Sequence, residues 1–368
     1  MKRSLPLAIA LSTACTLQAA EIPFYVGTYT KPNGSKGIYH GTLDTEKGTA
    51  SIKGLAGEVK NPSFIAIHPD RKHLYAAVED GGGAVAAFSI NADNTLKLLN
   101  SESSKGKGNC HVWVDASGRN VLAANYGDGV VASLPIKSDG SVAPASASIQ
   151  QQGSGPNKGR QAGPHAHAIY QFGDFVYACD LGTDDVFIYK FDPVKGTLTP
   201  NNPASGRVPA GGGPRHLAIR PDGKAAFCNN EMTSAVTAFS LDAKKGVLSP
   251  LQTLSTLPEN YEGAAKNSTA EIHCHPSGKF VYVSNRGHNS IAVFAIAEDG
   301  RLTRVQIADA KVRIPRGFGI SPDGNWLISA GQDSNDLALH QLDPKTGQLT
   351  FKSMVGEVSA PVNVEFVR

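Results

Sequence analysis

Short apolar runs separated by Gly, Pro, Asn and Asp recur along the whole chain, and none sustains the 3.6-residue apolar period of a helix. Runs of this length and punctuation predict strands and little helix. They are organised by a repeat. Ile67-His68-Pro69-Asp70, Ile219-Arg220-Pro221-Asp222-Gly223, His275-Pro276-Ser277-Gly278 and Ser321-Pro322-Asp323-Gly324 are copies of one turn between apolar runs. Weaker copies fall at Val114 to Gly118 and around Tyr170 to Gly173. The units are about 46 to 55 residues apart, the period of propeller blades.

After each turn comes a second run ending in polar residues, as in Val121 to Asn125, Val176 to Asp180, Ala226 to Asn230 and Val281 to Asn285. A third run follows, as in Ser290 to Ile296, and an acidic or Gly-containing turn leads to a fourth. Four short strands make one blade. The chain ends supply the last blade: Pro361 to Val367 resembles a first strand, while Phe24 to Tyr29 and Gly37 to Asp44 resemble a second and a third. The expected fold is therefore an all-β, seven-bladed β-propeller with four-stranded blades. Its ring is closed by N- and C-terminal strands in one blade, which pairs two otherwise exposed sheet edges.

Composition agrees with many short elements and turns: 39 Gly, 22 Pro and 7% aromatic residues. The first residues read as a targeting signal, with Lys2 and Arg3 ahead of the apolar stretch Leu5 to Leu17 and the small pair Ala19-Ala20. We expect residues 1–20 to be removed as a signal peptide, leaving 21–368 as one propeller domain in the periplasm or secreted. A lipoprotein through Cys15 is the weaker alternative, because Ser12 stands where such motifs carry Leu. Removal of the leader lowers the formal charge from +3 to +1. That field attracts neither nucleic acid nor membrane. Cys110, Cys179, Cys228 and Cys274 show no CxxC spacing, lie in apolar runs and are expected as buried thiols.

Polar residues at the ends of first and second strands are the candidates for a site at the central opening. Gly163-Pro164-His165-Ala166-His167 and Gly213-Pro214-Arg215-His216 begin successive units, and Glu231 and Arg286 each follow a second strand. The polar insertions from Gln150 to Gly163 and from Ser255 to Asn267 are candidate lids or plain surface loops. The phrases GPHAH, GGGPRHLAIRPDG, NNE, HPSGKFVYVSNRGHNSIAVF and NPSFIAIHPD resemble the bacterial propeller-type 6-phosphogluconolactonase family, which also includes carboxymuconate cyclases. The likeness covers nearly all of the chain after residue 20.

The resemblance implies a catalytic set of His167, Arg215, Glu231 and Arg286; His165 and His216 are read beside it as substrate-binding neighbours. It implies hydrolysis of a small-molecule sugar lactone. Two departures stand out: the third unit lacks its Pro-Asp-Gly turn, and Gly317 follows Arg316 where the family commonly has His. Opening a lactone needs a base for water, positive charge at the nascent oxyanion and an acid for the leaving alkoxide. Glu231 or His167 supplies the base; Arg215 and Arg286 stabilise the oxyanion or grip an anionic group. A non-catalytic binding propeller and a lactone-forming cyclase are the alternatives.

No cofactor or metal is expected. His165 and His167 are read as facing opposite sides of a strand, and Glu271, His273 and His275 as structural. There is no carboxylate-rich calcium loop and no GxSxG elbow. Oligomeric state is not legible.

Overall fold

A computed structural model describes residues 21–368, so the expected signal peptide over residues 1–20, Cys15 included, lies outside the described residues. Twenty-eight strands form seven antiparallel sheets of four. Among the described residues the helical content is one 3-10 turn, Ala264–Lys266. The innermost strands are Pro62–Ile67, Asn109–Val114, Ala166–Phe172, Pro214–Ile219, Ser268–Cys274, Pro315–Ile320 and Pro361–Phe366. Each touches the next around the ring.

The closing blade has the expected order. Pro361–Phe366 pairs with Glu21–Thr28 in a register that sets Phe24 against Phe366 and Val26 against Val364. Gly37–Asp44 and Thr49–Glu58 complete that sheet. One blade thus holds both ends of the described chain.

The core is a set of seams between blades rather than one central mass. In the seam joining the Ala166–Phe172 and Pro214–Ile219 blades, Tyr177, Cys179, Ile188, Leu217, Cys228 and Phe239 are buried together. Each large apolar side chain contributes about 1.5–3 kcal/mol. Glycine turns close the rim of the same seam. Gly246 is left-handed at φ +64°, and a Cβ there would overlap the ring of Phe175 in the preceding blade. Gly246→Ala is expected to cost at least about 1–2 kcal/mol from backbone conformation alone, read as a lower midpoint in chemical unfolding.

The repeated turn clasps neighbouring blades. His68 Nε2 donates to the Gly118 carbonyl and His275 Nε2 to the Gly324 carbonyl, both at 2.8 Å. Arg220 does the same with its guanidinium, donating to the Ala297 carbonyl at 3.1 Å. At the opposite end, every innermost strand begins with a β-bulge. A bulge adds an unpaired residue and re-aims its side chain. The starting prolines Pro62, Pro214, Pro315 and Pro361 suit positions that owe the ladder no N–H.

Candidate active site

The bulges carry three of the candidate side chains. The register shifts leave His167, Arg215 and Arg316 as extra residues at equivalent points in three blades. A second equivalent position, at or just past the end of the second strand, holds Tyr29, Glu79, Tyr126, Glu231 and Arg286 in five of the blades. First strands start, and second strands end, on one face of the ring, so both sets open onto the same mouth. Buried asparagines hold that edge. Asn285 Nδ2 donates to the Thr256 carbonyl at 3.0 Å, and Asn125 Nδ2 to the Val130 carbonyl at 2.9 Å.

Glu231 is the hub. It is 7% exposed, and its backbone N–H donates to the Gly213 carbonyl at 2.8 Å. Arg160 Nη2 donates to its Oε1 at 2.9 Å. Arg215 Nε and Arg286 Nη2 both lie 3.1 Å from Oε2, and His167 Nε2 lies 3.9 Å from the same oxygen. The sequence-predicted residues His167, Arg215, Glu231 and Arg286 are therefore brought together from three successive blades. The two 3.1 Å pairs are ionic contacts without hydrogen-bond alignment. Arg215 Nε and Arg286 Nε are buried donors with no hydrogen-bond partner among the described residues.

Burial opposes ionisation of Glu231, but Arg286, Arg215 and Arg160 outweigh it and hold its pKa at about 2. Burial also depresses His167 well below an ordinary imidazole, reinforced by Arg215, His216 and Arg316. At neutral pH the site pairs a carboxylate with a neutral imidazole. Arg286 is lowered to about 10, chiefly by burial against the opposing pull of Glu231, and still carries its charge.

Behind Arg215 stands a buried support. Its Nη1 donates to the Ala270 carbonyl and to His216 Nε2, the latter at 3.2 Å. Since Nε2 accepts, a neutral His216 carries its proton on Nδ1, which donates to Glu271 Oε1 at 2.6 Å. Asn229 locks the same bulge, accepting from the His216 N–H and donating to the Ala270 carbonyl, both at 2.9 Å. The structure thus places His216, 2% exposed, behind the arginine instead of on the open surface of the mouth. His165 stays at the rim, stacked on Tyr126 at 4.8 Å with Nδ1 donating to the Tyr126 carbonyl at 2.7 Å.

The expectation that His165 and His167 face opposite sides is corrected. His165 precedes the strand and His167 is its bulge residue, and both rings meet Tyr126. Glu271, His273 and His275 do not converge. Glu271 is taken by His216, His273 lies 3.9 Å from it, and His275 bonds Ser277 and Gly324 at the far turn. Among the described residues, the cluster with metal-ligand geometry is His68, Asp70 and His73, in a far-face turn remote from the mouth. Cys110, Cys179 and Cys228 are buried free thiols, and Cys274 is half-buried.

Sequence reasoning missed Arg160 and Tyr126 as site residues. Arg160 arrives from the insertion between blades and bridges Glu231 to the Tyr126 hydroxyl, the latter at 3.0 Å. It carries no motif, although its loop was a candidate lid. Tyr126, Tyr29 and Glu79 could have been found by aligning the blades, since they occupy the position of Glu231. Arg316 repeats Arg215 in the same way.

Comparison with known proteins agrees with this architecture. The family model described as lactonase, 7-bladed β-propeller matches residues 23–366. A 6-phosphogluconolactonase of Bacillus subtilis (strain 168) is 36% identical over 348 residues, covering 93% of this chain and 97% of its own. The structure of the periplasmic gluconolactonase of Pseudomonas aeruginosa superposes with a TM-score of 0.88 at 30% identity, covering 95% of this chain and 99% of its own. That of a Lactobacillus plantarum protein gives 0.88 at 32% identity, covering 95% and 100%. The chain belongs to the lactonase family of seven-bladed β-propellers.

Proposed function

We propose that this enzyme hydrolyses an unphosphorylated sugar lactone outside the cytoplasm, with His167 as base and the arginines around Glu231 as the oxyanion site. The observation that carries the reading is the convergence of Arg215, Arg286 and His167 on one carboxylate. The extracytoplasmic half rests on the leader-like start of the sequence, since a phosphorylated lactone is a cytosolic intermediate.

In this mechanism a neutral His167 takes a proton from water as the water oxygen bonds to the lactone carbonyl carbon. Glu231, ionised and 3.9 Å from Nε2, stabilises the imidazolium that results. The carbonyl electron pair moves to oxygen, where the positive charge of Arg215 and Arg286 stabilises an oxyanion that exists only after attack. Collapse breaks the ring C–O bond, and the alkoxide takes a proton from the imidazolium or from solvent. The open-chain acid leaves as its carboxylate.

A panel of aldonolactones, one phosphorylated lactone and one carboxymuconolactone, assayed by proton release, tests catalysis and substrate class together. We expect the unphosphorylated aldonolactones to be hydrolysed fastest; no rate above the spontaneous one for any lactone rejects the proposal. His167→Asn should lose about 10²–10⁴ in kcat/KM. Protonation of His167 removes the base, so activity should fall with acid. The fall should come well below pH 6.5, because burial and Arg215 depress this imidazole. An acid limb centred near 6.5 would point to a different base.

A further inference from the structure

The mouth contains a second polar cluster that the mechanism above does not use. Arg316 Nη2 donates to the Tyr29 hydroxyl at 2.9 Å, with the guanidinium 5.3 Å from the ring centroid. The hydroxyl in turn donates to Glu79 Oε2 at 2.8 Å. These residues come from the Pro315–Ile320 blade, the closing blade and the Pro62–Ile67 blade, in that order around the ring. Arg286 comes from the blade next to that of Arg316, and Arg215, Glu231 and His167 from the two blades beyond it.

The two clusters lie at the same mouth, within electrostatic reach of each other. Arg316 acts electrostatically on Arg215, His167 and Arg286, and Cys110, whose Sγ donates to the His167 carbonyl at 3.2 Å, feels Glu79, Arg215 and Arg316 together. All three members of the second cluster are partly open to solvent.

Their charge and hydrogen-bonding capacity differ from those of the Glu231 side. There, three arginines surround one carboxylate, a surplus of positive charge. Here one arginine faces one carboxylate through a tyrosine. Among the described residues Glu79 Oε1 accepts no hydrogen bond, and Arg316 Nη1 and Nε donate none. A carboxylate only accepts and a guanidinium only donates, whereas a sugar hydroxyl does both. Adjacent hydroxyls can therefore donate to Glu79 while accepting from Arg316. A phosphate or carboxylate group only accepts, and would meet the repulsion of Glu79.

We propose that Tyr29, Glu79 and Arg316 form a polyol subsite that binds the hydroxylated part of the lactone and aims its carbonyl at Arg215 and Arg286. This deepens the lactonase reading and rests on it. Glu79 and Arg316 contact the hydroxyls; Tyr29 is a positioning residue that holds the two at fixed separation. The pairing of donor with acceptor excludes an anionic tail from this side and leaves the Arg160 side for any negative group.

The test compares two substrates that share the ester and differ in hydroxyls, glucono-δ-lactone and δ-valerolactone, on the full chain and its Glu79→Gln and Tyr29→Phe variants. The ratio of kcat/KM for the first over the second should fall about tenfold or more in Glu79→Gln, and in the same direction in Tyr29→Phe. A general loss of structure lowers both rates and leaves the ratio alone, so an unchanged ratio overturns the subsite. Calorimetric binding of glucono-δ-lactam, which keeps the hydroxyls and resists hydrolysis, gives a readout independent of turnover. Weaker lactam binding by Glu79→Gln supports the subsite even where the wild-type chain hydrolyses neither ester, a result that would reject the lactonase reading. Equal lactam affinity in the variant, or no lactam binding by the wild-type chain, overturns the subsite.

Discussion

Replacing Glu231 with Gln is expected to lower kcat/KM about 10²–10⁴-fold and to destabilise the fold in the same stroke. The carboxylate is the counter-charge of Arg160, Arg215 and Arg286. Its loss leaves two buried guanidinium groups uncompensated, the costly way to break a buried pair. Its pKa falls from 4.5 in the unfolded chain to about 2 in the fold. The sign follows from linkage: a depressed carboxyl pKa stabilises the native state above the unfolded value, and that contribution is lost as pH falls from about 4.5 through 2. The magnitude at neutral pH is about 3 kcal/mol. Denaturant unfolding of both proteins at neutral pH and near pH 3 checks this. The gap between wild type and Glu231→Gln should be wide at neutral pH and narrow in acid; a gap independent of pH would show that Glu231 is not the ionised hub.

Deleting residues 361–368 should abolish the folded ring. Val362, Val364 and Phe366 are 3%, 0% and 3% exposed, and each contributes about 1.5–3 kcal/mol by burial. Their sum rivals the whole stability of about 5–15 kcal/mol typical of a folded protein. The deletion also strips Glu21–Thr28 of one partner and exposes the flanks of two neighbouring blades. The deleted chain should be insoluble or lack a cooperative melt. The milder Phe366→Ala should melt as one unit with about 3–5 kcal/mol less stability. A truncated protein with an unaltered melting curve would mean that the ring does not depend on its closing strand.

The fold was legible because a blade writes itself into sequence several times. Turn chemistry at Asp70, Asp222, Gly278 and Asp323 recurs at one spacing, and apolar runs flank each copy. The structure adds why the residue at the start of that turn is so often long and polar: His68, Arg220 and His275 reach across to the next blade. The main cluster was legible through the likeness of short phrases to a family. Position within the repeat would also have served, had the blades been aligned throughout. Glu79, Tyr126 and Glu231 then fall in one column, and Arg215 and Arg316 in another.

What lay beyond reach is tertiary. A bulge leaves no mark in composition, yet it turns His167 and Arg215 out of the regular alternation. Arg160 sits in an insertion without periodicity, and only the path of its loop brings it to Glu231. The backing of Arg215 by His216 and Glu271 depends on two blades meeting. Alternation along a single strand does not show it.

The shared blade has a practical bearing on how the molecule is presented. Glu21 opens a second strand and Phe366 closes a first one, so both ends of the described chain emerge beside each other on the face turned away from Glu231. A carrier, tag or solid support attached through either end would hold the protein by its back. The opening that holds Glu231 would then face the solution, free to receive diffusing molecules whatever the bulk of the attachment.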